Sequence, residues 1–247
     1  MTALTLALVA GAVVGLALGG LGGGGSVLAV PALIYLLGFT PAAATTAGLV
    51  IVILTSVTAL VGHTRDGQVA WRTGLLFAAA GIVPATLAGA AAGHLPPTAL
   101  TIAFAAVATV AALRMLRPPR AGTTGTAHPG KAGAAGAGLG AVTGFLGVGG
   151  GFLAVPALVG VLSLPMRRAV GTGLLVVTVN SLAALGARAG SGTPLDWAVV
   201  APFTAAAVLG AWDGKRLAHR LEDATLQRLF ACVLLAVAAF MLIDAFV

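Results

Sequence analysis

The chain's 247 residues are 59% hydrophobic and only 8% charged, where a soluble domain carries roughly 25% charged residues, so with a mean hydropathy of +1.09 it cannot cover itself in water. Its net charge of +7 comes from Lys and Arg in short loops, with no basic run interleaved with aromatics, which excludes a nucleic-acid interface and fits cytoplasmic loops that set topology. The charges cluster so as to leave apolar stretches of about 20 residues, each able to cross ~30 Å of hydrocarbon as a helix, and the fold class is an all-α polytopic membrane protein with the lipid bilayer as its first partner.

In chain order, apolar segments run over residues 2–19, 24–38, 44–63, 72–93 and 98–116. The first has no positively charged leader and reads as a retained helix rather than a cleaved signal. A polar stretch from Arg117 to Gly133 (RPPRAGTTGTAHPGKAG) interrupts the series as a linker does. Apolar segments then resume over 134–147, 150–162, 168–188, 197–214 and 225–246. The expected organisation is a first transmembrane repeat over 1–116, a cytoplasmic linker over 117–133 and a second repeat over 134–247.

The restart is a true repeat. Shifted by 125 positions, Gly19 to Leu33 (GGLGGGGSVLAVPAL) overlies Gly144 to Leu158 (GFLGVGGGFLAVPAL), with eleven of fifteen positions identical. Gly11 and Gly15 fall on Gly136 and Gly140, Thr55 and Ser56 fall on Asn180 and Ser181, and after one inserted residue Trp71 falls on Trp197. Five crossings per half place twelve of the thirteen Lys and Arg on one side and only Arg188 on the other; four crossings per half divide them seven to six. The positive-inside rule favours the first division. It implies two inverted repeats of about five helical segments, eight to ten crossings depending on how the glycine-broken helices are counted, and both termini outside the cytoplasmic membrane. The segments beside the glycines are short enough to be re-entrant or half-spanning.

Inverted repeats with a glycine-broken helix in matching positions are the pattern of a secondary transporter whose substrate sits where the repeats meet. The breaks are Gly22, Gly23, Gly24, Gly25 and Ser26 in the first half and Gly147 to Gly151, including Gly149 and Gly150, in the second, each followed by Leu-Ala-Val-Pro-Ala-Leu. A glycine run frees backbone N–H groups from helix bonding, and the next helix presents its positive dipole end. Two such ends converging make an anion site without a cationic side chain; the plainer alternative is that these glycines serve only turns and close packing. The dinucleotide fingerprint that Gly20, Gly22 and Gly25 formally match lacks its strand, its βαβ unit and its acidic residue. The four-residue spacing of Gly11, Gly15 and Gly19, and of Gly136, Gly140 and Gly144, is a helix-packing ladder.

Polar residues inside the spans are few. Thr55 and Ser56 lie mid-segment opposite Asn180 and Ser181, and Thr45 and Thr46 open one span while Thr172 and Thr178 lie along its counterpart. Asn180 must bond a neighbouring helix or a substrate oxygen, because a buried amide is costly to leave unpaired. The hydroxyls have the alternative of bonding their own helix. His63 and Arg188 occupy equivalent segment ends, where His63 anchors or caps and Arg188 either attracts an anion or snorkels. Trp71, Trp197 and Trp212 suit interfacial anchoring, and the single cysteine, Cys232, suits packing. All six acids fall in loops or at segment ends, Asp244 being the best intramembrane candidate, and no carboxylate or histidine stands clearly deep in the membrane for proton coupling, which argues for a facilitator or for coupling through the anion's own protonation or backbone-held ions. With no Walker motif, metal-ligand cluster or catalytic triad, neither an enzyme nor a pump nor a bound cofactor is expected.

At Gly19 to Leu33 and Gly144 to Leu158, and at the later steps Thr46 to Gly48 and Gly171 to Gly173, the chain resembles the sulfite exporter TauE/SafE family. The resemblance covers nearly the whole chain. It implies a duplicated permease that moves sulfur oxyanions and small organosulfonates across the cytoplasmic membrane. The expected substrate is therefore a small anion, bound by the two glycine breaks with Thr55, Ser56, Asn180 and Ser181 nearby. The alternatives are a non-transport scaffold or assembly protein and a carrier of a different metabolite. The oligomeric state stays open, a homodimer among the options.

Overall fold

The computed structural model describes residues 2–92, 97–116, 129–145, 151–188 and 195–246. These form ten α-helices and no strand: α1 (Thr2–Leu21), α2 (Gly24–Pro31), α3 (Pro41–Arg65), α4 (Trp71–Ala92), α5 (Pro97–Leu116), α6 (Pro129–Phe145), α7 (Gly151–Gly160), α8 (Met166–Ala187), α9 (Trp197–Arg220) and α10 (Asp223–Phe246). Seven are long and apolar enough to cross a bilayer, namely α1, α3, α4, α5, α8, α9 and α10. The short ones are α2, α7 and, as described, α6. Leu87, Leu209 and Ile243 stand exposed on their helices, as residues facing lipid do. Cys232 is exposed as well, on α10 rather than in the core.

Local chemistry moves several helix ends outward from the expected boundaries. Thr40 caps α3 by accepting a hydrogen bond from the Ala43 N–H at 3.4 Å, and Pro41 suits the first turn because its missing N–H is not needed there. Asp196 caps α9 in the same way through the Ala198 N–H at 3.0 Å. Helix α6 begins at Pro129, inside the stretch expected to be linker, again with proline at the start. After Pro31 the chain continues as a π-helical turn over Ala32–Leu36, a register change available where proline removes a donor from the ladder.

Two helix pairs touch backbone to backbone. A Cβ built on Gly15 of α1 would lie 2.0 Å from the Ala207 carbonyl oxygen of α9, and one on Gly19 would lie 2.1 Å from that of Ala211. On α6, Cβ atoms at Gly136, Gly140 and Gly144 would lie 2.2, 2.2 and 2.1 Å from the carbonyl oxygens of Phe77, Gly81 and Ala85 on α4. In both pairs the residue numbers rise together, so α1 runs parallel to α9 and α6 parallel to α4. Without water to drive association, such contact between small residues is what holds transmembrane helices together.

Helices α3 and α8 pack against each other at the centre, while α5 packs on α10 at the edge. The Lys215 ammonium meets the Asp66 carboxylate, Arg167 meets Asp223, and Gln227 of α10 donates to the Met115 carbonyl of α5. These contacts gather at one end of the bundle the helix ends that carry every described Lys and Arg except Arg188. Arg188 lies at the other end, donating to the Thr45 hydroxyl at 2.9 Å.

Leucine at Gly140 therefore has no room, and Gly140→Leu should cost upward of about 2 kcal/mol by overpacking, read as a lowered Tm and loss of the monodisperse peak in detergent. Gly138 on the same helix has nothing within 4 Å of a Cβ, so Gly138→Leu should leave both unchanged. Equal tolerance of the two would contradict this packing.

Candidate functional site

The first glycine break meets the start of α7. Gly22 has φ +75°, the left-handed region that glycine enters freely, and a Cβ there would lie 2.6 Å from the Val170 carbonyl oxygen of α8. A Cβ on Gly23 would lie 2.5 Å from the carbonyl oxygen of Gly151, the first residue of α7. Gly173 of α8 closes the group: its Cβ would lie 2.7 Å from Val155 Cγ2 and 3.2 Å from the Gly22 oxygen. At Gly22 and Gly23 a neighbouring backbone, and at Gly173 chiefly the Val155 side chain, occupies the space of a side chain. Gly24, Gly25 and Ser26 form the first turn of α2, whose N-terminus has no side-chain cap. Gly149 and Gly150 lie outside the described residues.

Five residues farther along α8 than Gly173, roughly 7.5 Å at 1.5 Å per residue, sits a hydroxyl bridge between the halves. The Ser56 and Thr178 hydroxyls share a hydrogen bond at 2.9 Å, both fully or nearly buried. Each also lies near a carbonyl of its own helix, Ser56 that of Ile53 at 3.2 Å and Thr178 that of Leu174 at 2.7 Å. One hydroxyl carries one proton, so when Thr178 donates to its helix the bridge takes the proton of Ser56. Thr55 instead donates to its own helix, at Ile51, over 2.6 Å. Ser181 is buried, and the Asn180 Oδ1 is a buried acceptor with no partner in the structure. Thr178 thus joins the residues expected from the sequence, and Thr55 takes the back-bonding alternative.

At the basic end lies a junction that the sequence did not reveal as a unit. The Asp66 carboxylate, just after α3, receives Lys215 Nζ at 2.7 Å and His219 Nε2 at 2.9 Å, both from α9. Lys215 also donates to the Gly62 carbonyl at 2.7 Å, capping α3. Nearby, the Thr172 hydroxyl of α8 accepts the Ala70 N–H at 3.0 Å. The hydrogen bond from Lys215 is the largest influence on Asp66 and, with the charges of Lys215 and His219, holds its carboxyl below the ordinary carboxylate value despite some desolvation. The four-residue spacing of Lys215 and His219 puts them on one face of α9, which was the legible clue. His63 is buried, only 4% exposed, and its Nε2 lies 3.4 Å from the Gly19 carbonyl oxygen of α1. It anchors, as expected of it, but does so between helices.

The chain matches the family described as Sulfite exporter TauE/SafE over residues 7–241. Two relatives from Xylella fastidiosa, strains 9a5c and Temecula1, each described as a probable membrane transporter protein, are 32% identical over 241 residues, covering 94% of this chain and 92% of theirs.

Because the Asp66 carboxyl is held below its ordinary value in the folded protein, its contribution is fully present above the ordinary carboxylate range and is lost as pH falls through the lowered value. The Tm in detergent should fall over that acidic interval, and Asp66→Asn should lower the Tm at neutral pH and remove the acid step. An unchanged acid profile in the variant would show that other carboxylates carry the transition.

Proposed function

The chain belongs to the sulfite exporter TauE/SafE family and is a membrane transporter, and on that premise we propose that it is a permease for a small anion, sulfite or a small organosulfonate. The observation that carries the reading is the approach of Gly23 to Gly151. It sets the start of α7 against the start of α2, which brings together two helix N-termini, one from each half. Such ends hold an anion through hydrogen bonds and helix dipoles without a fixed countercharge. That suits a carrier, which must release its substrate as well as bind it.

The proposed site comprises Gly22, Gly23, Gly24, Gly25 and Ser26 of the first half and Gly149, Gly150 and Gly151 of the second. Thr55, Ser56, Asn180 and Ser181 stand as neighbours on α3 and α8, joined by Thr178. Rotation of the Asn180 amide exchanges its acceptor and donor ends, so N–H can take the place of the Oδ1 that has no partner and be presented to an anion oxygen.

The halves are proposed to be inverted repeats that move by alternating access. The two parallel pairings support this: α1 with α9 and α6 with α4 are the same contact when the halves are exchanged. The gathering of basic helix ends supports it too, and by the positive-inside rule makes that end cytoplasmic with both termini outside. Polar contacts tie the halves at both ends, the Asp66 junction at one and the Arg188 to Thr45 bond at the other. Rocking would break one set while the other holds.

Asn180→Leu removes the amide while keeping the helix, and should lower saturable uptake of radiolabelled sulfite or methanesulfonate into proteoliposomes by roughly tenfold or more, the loss expected for a hydrogen bond to a charged partner. Full uptake by the correctly folded variant would remove Asn180 from the site, and absence of anion flux in the unaltered protein would overturn the permease reading.

A further inference from the structure

We propose that the rigid parts in this alternating access are two helix pairs, α1 with α9 and α4 with α6, each built from both halves, and that the Asp66 junction is the latch on the first pair. The inference rests on the permease reading and supplies its moving parts. Along α1 and α9 the close approaches are backbone on glycine, and from both sides. Besides Gly15 and Gly19, a Cβ on Gly11 of α1 would lie 2.4 Å from the Phe203 carbonyl oxygen, and on α9 Cβ atoms at Gly210 and Gly214 would lie 2.4 and 2.3 Å from the carbonyl oxygens of Ala12 and Leu16. In the other pair Gly136, Gly140 and Gly144 receive α4 in the same way, and a Cβ on Gly81 would lie 3.0 Å from the Gly136 oxygen. Carbonyls seated on glycines four residues apart interlock, so sliding by part of a turn drives a carbonyl into a neighbouring Cα. Motion of one whole half against the other would have to part both seams.

The contacts of the pairs with the central helices are of another kind. Helix α8 meets Gly74 of α4 through the side chains of Leu175 and Thr172. Helix α3 meets the α1–α9 pair through the Lys215 side chain, which lies over Gly62 and reaches Asp66, and through the His63 ring at the Gly19 carbonyl. Side chains change rotamer and slide past one another where interlocked backbones do not. The Asp66, Lys215 and His219 side chains are 35%, 20% and 37% exposed, so water replaces their bonds at modest cost when the latch opens.

Each pair leads into one wall of the proposed anion site. Helix α1 ends at Leu21, just before α2 starts at Gly24, and α6 ends at Phe145, before α7 starts at Gly151. Release of the latch frees α1 and α9 from α3 and lets α1 carry Gly22 and Gly23 away from Val170 and Gly151. With α4 and α9 overlaid through Trp71 and Trp197, Lys215 and His219 fall on Gly89 and Gly93, which have no side chains to form a counterpart junction. The latch therefore acts on the α1–α9 pair.

The test uses proteoliposomes of the full chain with Cys232→Ser removing the native thiol. A Cβ on Gly20 of α1 would lie 3.9 Å from the Ala218 Cβ of α9, inside the span of a disulfide, so Gly20→Cys with Ala218→Cys ties the pair together. Oxidation should change saturable methanesulfonate uptake by less than about twofold, because a seam that stays closed does not limit turnover. In Asp66→Cys with His219→Cys, a short bis-methanethiosulfonate bridge ties α3 to α9 and should cut uptake by more than about tenfold, with recovery in reductant. Uptake lost on oxidising the first variant, or kept when the second is bridged, overturns the proposal and leaves the permease reading standing; no anion flux in the unaltered protein overturns both. If either double variant does not fold, or does not transport before linking, spin-label distances decide. Between labels at Val13→Cys and Leu209→Cys, exposed on α1 and α9, the distance should stay fixed when methanesulfonate is added, and between Val61→Cys of α3 and Leu217→Cys of α9 it should shift. A shift in the first pair, or none in the second, overturns the proposal.

Discussion

Where Gly15 lies on Ala207 and Gly140 on Gly81, one helix backbone rests directly on another, at a distance no side chain allows. The rest of the architecture depends on these contacts. They lock α1 of the first half onto α9 of the second, and α6 of the second onto α4 of the first, so that neither half is complete alone. Interlocking at the flanks leaves α3 and α8 to meet in the middle and gives the short α2 and α7 a sheltered place to begin. A helix that starts inside a membrane exposes N–H groups that lipid cannot satisfy. It is tolerated only where protein, or a polar ligand, supplies acceptors.

The same economy of side chains explains the site's chemistry. Around the meeting of Gly22, Gly23, Gly151 and Gly173 the structure brings backbone to backbone, and the neighbouring polar groups are hydroxyls and one amide. A fixed cation there would be costly to bury. The described Lys and Arg instead stand at the ends of the bundle. At the basic end, Arg167 and Lys215 are matched by Asp223 and Asp66.

Much of this was legible because duplication wrote it twice. The overlay of Gly19 to Leu33 on Gly144 to Leu158 picked out the break before α2 and the start of α7, and the four-residue glycine spacing marked the helix faces that pack. The segments expected at 24–38 and 150–162 contain the short helices α2, which continues into a π-helical turn, and α7. Other features depend on contacts that no local pattern encodes. Ser56 and Thr178 are 122 residues apart, and Asp66 and His219 are 153 apart; only the parallel seating of α1 on α9 and the packing of α3 on α8 bring them together. The burial of His63 was hidden by its place near a helix end. Its burial comes from the Gly19 region of α1 and from α9 closing over it.

The most direct measurement is to locate the anion itself, by anomalous diffraction or cryo-EM of the protein with selenite, whose selenium marks a sulfite-shaped oxyanion. The proposed mechanism places its density between the start of α2 and the start of α7, within hydrogen-bond reach of the backbone around Gly23 and Gly151. Density only at Arg188 or at the bundle surface, with the glycine junction empty at saturating selenite, would contradict it.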